Sequence, residues 1–181
     1  MPRLIKDRAI IEDRWTLLRE AQSFGDVPPD IPVIVSLTLW QSAHEALSAR
    51  DDVGVWLKSD DDPEALAGDV ARLPLIAVDF PKFVDGRGYS IARLLREKYR
   101  FGGELRAIGD VLRDQLYYMS QCGFNAFAVR ADRDIAAAIA GLDDFYDNYQ
   151  STVARPAPLF RRRAAATDEM IGDRVITGAL R

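Results

Sequence analysis

The stretch LIAVDFPKFVDGRGYSIARLLREKYRFGGELRAIG, residues 75–109, decides how the chain is read. It opens on LIAVDF (75–80), an apolar run of strand length, and closes on a second such run, ELRAIG (104–109). Between them, YSIARLLREKYRF places Ile91, Leu94 and Leu95 on one helical stripe. Strand, helix and strand in that order form a right-handed crossover, and a crossover joins strands that run parallel.

The same alternation extends outward in both directions. Upstream, PVIVSL (32–37) and VGVWLKS (53–59) read as strands. A helical stretch from about Thr38 to Arg50 follows the first. DDPEALAGDVARL follows the second, with an aspartate suited to a cap and Pro63 at the first helical position. Downstream, VLRDQLYYMSQCG reads as a helix ending at Cys122-Gly123, NAFAVR (125–130) as a strand, and Asp132 to about Tyr146 as a last helix. Two short apolar runs around Lys6–Arg8 read as an N-terminal β-hairpin. The expected fold is therefore α/β: a mostly parallel sheet of about five βα units behind an N-terminal β-hairpin. It closes into a partial β/α barrel or lies open as a three-layer sandwich, and the pattern does not separate the two. Residues 1–30 form the hairpin and a turn-rich connector, 31–150 the βα-repeat domain, and 151–181 an extended or disordered tail.

Composition narrows the partners. A chain of 181 residues supports one sizeable core. A formal net charge of −4 and a pI near 5.1 argue against nucleic acid, because binding phosphates needs a basic face. No apolar run approaches the roughly 20 residues that span a bilayer, and the opening lacks a signal-peptide core, so the cytoplasm is the expected location. His44 and Cys122 are the only residues of their types, so neither a metal site, an iron–sulfur cluster nor a dithiol cycle is expected. No cofactor is evident, although phosphate cradles at β/α loops vary enough to leave an unfamiliar flavin site open.

The charged residues point to the rim where ligands bind in parallel β/α folds, beyond the carboxyl ends of the strands. The loop after LIAVDF carries Asp85, Gly86, Arg87, Gly88, Tyr89 and Ser90. The loop after ELRAIG carries Asp110, with Asp114 and Gln115 one turn into the next helix. Asp79 and Arg130 end two strands. Glycines let backbone N–H groups approach a ligand, a hydroxyl near a helix start favours an anion, and Arg87 offers a planar donor fork. Such a set could cradle a small oxyanion or a charged partner. The plainer reading has Asp85 capping the helix, the glycines turning the chain and Arg87 pairing with a carboxylate. Within ELRAIG, alternation puts Glu104 and Arg106 on one face, either as a neighbour pair or as the lining of a site.

The run FVDGRGYSIARLLREKYRFGGELRAIGDVLRDQLYYMSQCGFNAFAVR, residues 83–130, resembles the core of a bacterial family of unknown function associated with assimilatory sulfite reduction. The likeness extends from RLIKD near the start, through PVIVSL, to PLFRRR ending at Arg163. Members are often labelled oxidoreductases, and their genes commonly lie beside that of the sulfite reductase hemoprotein. The resemblance implies a pathway, sulfate assimilation and cysteine biosynthesis, with sulfite reductase or its electron donor as the partner. It implies no catalytic residue. An accessory protein of sulfite reduction, assisting assembly, electron delivery or substrate handling, is the first functional expectation. The second is an oxidoreductase or acid–base enzyme acting on a small anionic substrate at the rim, through carboxylates and arginines that tune one another. Arg161–Arg163 beside Phe160 read either as a solvated basic stretch or as a docking element for an acidic partner.

Overall fold

The computed structural model describes residues 2–145, 149–153 and 155–163. Its strands are β1 (Arg3–Lys6), β2 (Ala9–Glu12), β3 (Thr16–Leu17), β4 (Val33–Ser36), β5 (Val53–Leu57), β6 (Leu75–Phe80), β7 (Glu104–Gly109) and β8 (Ala126–Phe127). Its helices are α1 (Leu37–Ser42), α2 (His44–Ser48), α3 (Arg87–Glu97), α4 (Arg113–Gln121) and α5 (Ile135–Ala138). The strands form one sheet in the spatial order β2-β1-β8-β7-β6-β5-β4-β3. From β3 to β8 every neighbour follows in sequence and pairs parallel. The hairpin joins the far edge, β1 running antiparallel to both β2 and β8.

Sequential order has a geometric consequence. Crossovers of one hand, all stepping the same way, put the helices on one side and curl the sheet. The helix-covered face carries the main core, including Val35, Val55, Val78, Phe80 and Leu105, packed with Leu95, Leu116 and Met119 from the helices. The opposite, concave face holds Ile34, Trp56, Leu75, Ala77 and Ile108, closed over by Trp15 and Leu17. β2 and β3 lie at opposite edges of the sheet, yet only residues 13–15 separate Glu12 from Thr16. Four Cα steps reach about 14 Å at most, so the sheet is a curled half-barrel whose two edges face each other across that gap.

Several elements depart from the sequence-based expectation. The sheet has eight strands and is mixed, because the hairpin adds two antiparallel pairings to the parallel run. The regular βα repeat is also interrupted. The helix expected after Thr38 breaks at Ala43, whose φ of −122° and ψ of 30° separate α1 from α2. DDPEALAGDVARL forms only a short 3₁₀ turn, Pro63–Leu66, followed by further turns. Asp62 caps that turn and Pro63 opens it as expected, but Gly68 favours turn over helix immediately afterwards. The last helix starts at Ile135, after the Asp134 cap, and tightens to 3₁₀ from Ile139 to Asp143. Its expected end near Tyr146 lies outside the described residues, as does the tail beyond Arg163. Within 151–163, Thr152 and Val153 bond to Gln121, and residues 159–163 are helical.

Candidate functional site

The carboxyl ends of β6, β7 and β8 form a polar rim. Phe80 points into the helix-covered core, so alternation turns its neighbour Asp79 to the concave face. There Asp79 accepts from Arg19, just past β3, at 2.8 Å. The Arg19 guanidinium also lies 5.5 Å from the centroid of the Trp56 ring, a cation–π contact. β7 ends at Gly109 with φ of 94°, a left-handed backbone that glycine alone adopts freely. A Cβ there would press on the Phe80 carbonyl and approach Asp79 Oδ1 to 2.8 Å. This turn aims Asp110 at the loop after β6. One Asp110 oxygen accepts from the Phe83 N–H at 2.9 Å, and the other accepts from Arg130 Nη1 at 2.8 Å. Arg130 also forks onto Asp132 at 2.6 and 2.9 Å, and Asp132 first, then Asp110, raises the pKa of its guanidinium. The loop so anchored leaves Phe83 exposed and Val84 84% exposed.

DGRGYS itself is the start of α3. Asp85 accepts from Arg87 Nε at 3.0 Å, from Nη2 at 2.7 Å and from the Arg87 backbone N–H at 3.1 Å. Those Arg87 bonds, then the Ser59 hydroxyl, hold the Asp85 carboxyl well below the usual carboxylate range. The Arg87 side chain remains 60% exposed. Gly86 stands at the cap of α3, and Gly88 lets the helix settle on Phe80, whose ring a Cβ would meet at 2.7 Å. Tyr89 packs edge-on against Phe80 and Tyr118, and burial raises its hydroxyl pKa. Gln115 is buried, hydrogen-bonded to Tyr89, and accepts from the Leu112 N–H at the start of α4. Ser90 and Asp114 are exposed. Asp114 and Asp134 line a cleft of about 360 Å³ together with Arg113, Arg133, Leu112, Ala137 and Ala138.

The structure thus gathers Asp79, Asp85, Arg87, Asp110 and Arg130 around the rim and places Glu104 and Arg106 elsewhere. Glu104 begins β7, at the opposite end of the strand from Asp110, and is 8% exposed. Arg106, 3% exposed, bonds Glu104 through Nε at 2.8 Å and through Nη2 at 2.7 Å, and bonds Asp13 through Nη1 at 2.8 Å. Lys6 closes the set on the second Glu104 oxygen at 2.8 Å. Asp13 belongs to the connector between the sheet edges, so this network ties the curl of the half-barrel. The neighbour-pair reading describes the geometry of Glu104 and Arg106.

Arg19 escaped the sequence reading, because nothing near it in sequence indicates a partner 60 residues away. Asp69 escaped too: it accepts from Trp40 Nε1 at 3.0 Å and pairs with His44 Nε2 at 3.0 Å. Burial pushes the Cys122 thiol up, against an opposing hydrogen bond from Tyr118. Among the described residues, no three His, Cys, Asp or Glu side chains are grouped to hold a metal ion, and no helix is long and apolar enough to cross a membrane.

No curated protein matches the chain. Residues 54–160 match the model of a family described as a bacterial protein of unknown function (DUF934). The match covers more than half of the sequence and every rim residue from Asp79 to Arg130, and the chain belongs to that family.

Proposed function

We propose that the chain is a cytoplasmic accessory protein of assimilatory sulfite reduction, docking to sulfite reductase or to its electron donor through the rim. The observation that carries this reading is the Phe83–Val84 loop. It presents apolar side chains to solvent while Asp110 holds its backbone in place. Around it, Asp79, Asp85 and Asp110 each hold an arginine. An ordered apolar centre inside a polar margin is the anatomy of a protein interface. The pathway comes from the family resemblance carried by residues 83–130.

Deletion of the gene tests the pathway, and two rim variants test the surface. The deletion strain is expected to fail on sulfate and on sulfite, and to grow on sulfide or cysteine. Phe83→Asp and Val84→Asp are expected to melt as wild type and yet fail to restore growth. Normal growth of the deletion strain on sulfite would overturn the pathway. Full rescue by both variants would remove the loop from the function.

The cleft where Arg113 and Arg133 stand beside the carboxylates of Asp114 and Asp134 supports a second reading, an oxidoreductase or acid–base enzyme acting on a small anionic substrate. A flavin spectrum from the purified protein, or turnover of an anionic substrate lost in Arg133→Ala, would select it over docking alone.

A further inference from the structure

Residues 149–163 contain four arginines, Arg155 and Arg161–Arg163, and no Asp or Glu. The whole chain has 24 Lys and Arg against 28 Asp and Glu, so the rest of the chain carries 20 against 28, a net charge of −8. The segment is not an isolated tail. Thr152 Oγ1 donates to Gln121 Oε1 at 3.0 Å, the Val153 N–H to the Gln121 carbonyl at 3.1 Å, and the Leu159 N–H to the Tyr149 carbonyl at 3.1 Å. The first two bonds tie residues 152 and 153 to the end of α4, and the third folds residue 159 back onto Tyr149.

Exposed aromatic side chains lie along α4 and the same segment. Tyr149, 72% exposed, and Tyr118, also exposed, line a recess of about 330 Å³ with Gln121, Gln150 and Thr152. Phe160 is exposed, with the Arg161 guanidinium 5.9 Å from its ring centroid. Phe145, exposed as well, contacts Tyr117 of α4 with ring centroids 5.0 Å apart. Single exposed apolar residues are ordinary on a soluble protein, whereas a cluster marks a surface for binding. Tyrosine and arginine together are also the residue types that dominate interface energetics.

We propose that this face, formed by α4 and residues 149–153 and 155–163, binds an acidic surface of a partner protein that also carries apolar side chains. Arginines take its carboxylates in charge-assisted hydrogen bonds, and the tyrosine-lined recess takes an apolar side chain. Charge separates this partner from RNA. A compact acidic patch meets only the basic face, whereas an extended phosphate backbone would run on over the acidic remainder of the chain. The face does not depend on the pathway proposed for the rim.

Fluorescence anisotropy with the full-length protein tests it, using a labelled peptide of repeating Glu-Leu-Glu-Tyr as the probe. Saturable binding is expected, weakening with salt and falling at least about tenfold in Arg161→Glu/Arg162→Glu and in Tyr149→Ala. Thermal melts matching wild type in both variants, with Arg3→Ala on the far edge strand pair binding normally, would assign the loss to this face. Three results would overturn the proposal: no saturable binding, equal binding of the same peptide with Lys in place of Glu, or tighter binding of oligouridine. Normal growth of the deletion strain on sulfite, with peptide binding intact, would count against the pathway alone.

Discussion

Arg106→Met tests whether buried charge closes the half-barrel. The substitution keeps most of the apolar stem and removes the guanidinium that holds Glu104 and Asp13 together. Glu104, 8% exposed, is then left with Lys6, and Asp13 with the Trp15 N–H at 3.0 Å. Removing one member of a buried ion pair costs about 3–5 kcal/mol, because the partner stays desolvated without its counter-charge. For a domain of this size, each kcal/mol lowers the melting temperature by about 2–4 °C, so a fall of roughly 6–20 °C is expected. Urea unfolding should show the same loss with an unchanged slope. The double variant Glu104→Leu/Arg106→Met removes both ends of the short pair and should recover much of the loss, since apolar replacement of a buried pair is often neutral. A single variant that loses less than about 1 kcal/mol would refute the network as the tie across the sheet edges. A double variant no better than the single would refute the desolvation argument.

Gly109→Ala adds a Cβ against Asp79 and the Phe80 carbonyl at a left-handed backbone position, and should cost about 1–3 kcal/mol in urea unfolding. An unaffected midpoint would mean that the turn adapts. Burial pushes the Asp69 carboxyl up, but hydrogen bonds from His44 and Trp40 outweigh it and hold the pKa below its ordinary 3.8. A depressed carboxylate stabilises the fold above its unfolded pKa and loses that contribution as pH falls through the folded one. Asp69→Asn should therefore be less stable than wild type near about pH 7, with the gap closing toward about pH 2; a constant gap would show that the charge is irrelevant. Arg87→Ala should melt as wild type, since its guanidinium is mostly in solvent, and should fail to restore growth on sulfite. An early melt would make DGRGYS a structural loop, and full rescue would remove Arg87 from the function.

The βαβ unit was legible because each of its parts has a local cause. Apolar runs mark β6 and β7 at the boundaries the structure shows, and Ile91 and Leu95 mark the buried side of α3, whereas Leu94 of the expected stripe is exposed. Alternation also placed Glu104 and Arg106 correctly on one face. Residue order within the same run sets Glu104 at the amino end of β7, the far end from Asp110. β3 was missed because two residues show no period, and their pairing with β4 depends on backbone seventeen residues further along the chain. The curl itself is non-local: it follows from strand order and from an Asp13–Arg106 bond across 93 residues. The turn chemistry of Asp62-Pro63 is local and legible, whereas the bonds from Trp40 and His44 to Asp69 are long-range and are not.

DGRGYS divides between two tasks, and the division determines which substitutions can inform on function. Gly88 and Tyr89 face Phe80, and Gln115 behind them opens α4, so changing any of these perturbs the core before it perturbs a surface. Arg87 points the other way, into solvent, from a carboxylate that fixes its fork. Phe83 and Val84 precede it on a backbone anchored by Asp110. A growth defect from Gly88 or Gln115 variants would therefore report folding, whereas a defect from Arg87, Phe83 or Val84 at an unchanged melt reports contact with something outside the chain. The same logic separates the two charged clusters. Glu104 and Arg106 answer to urea, and the rim pairs answer to partners and salt.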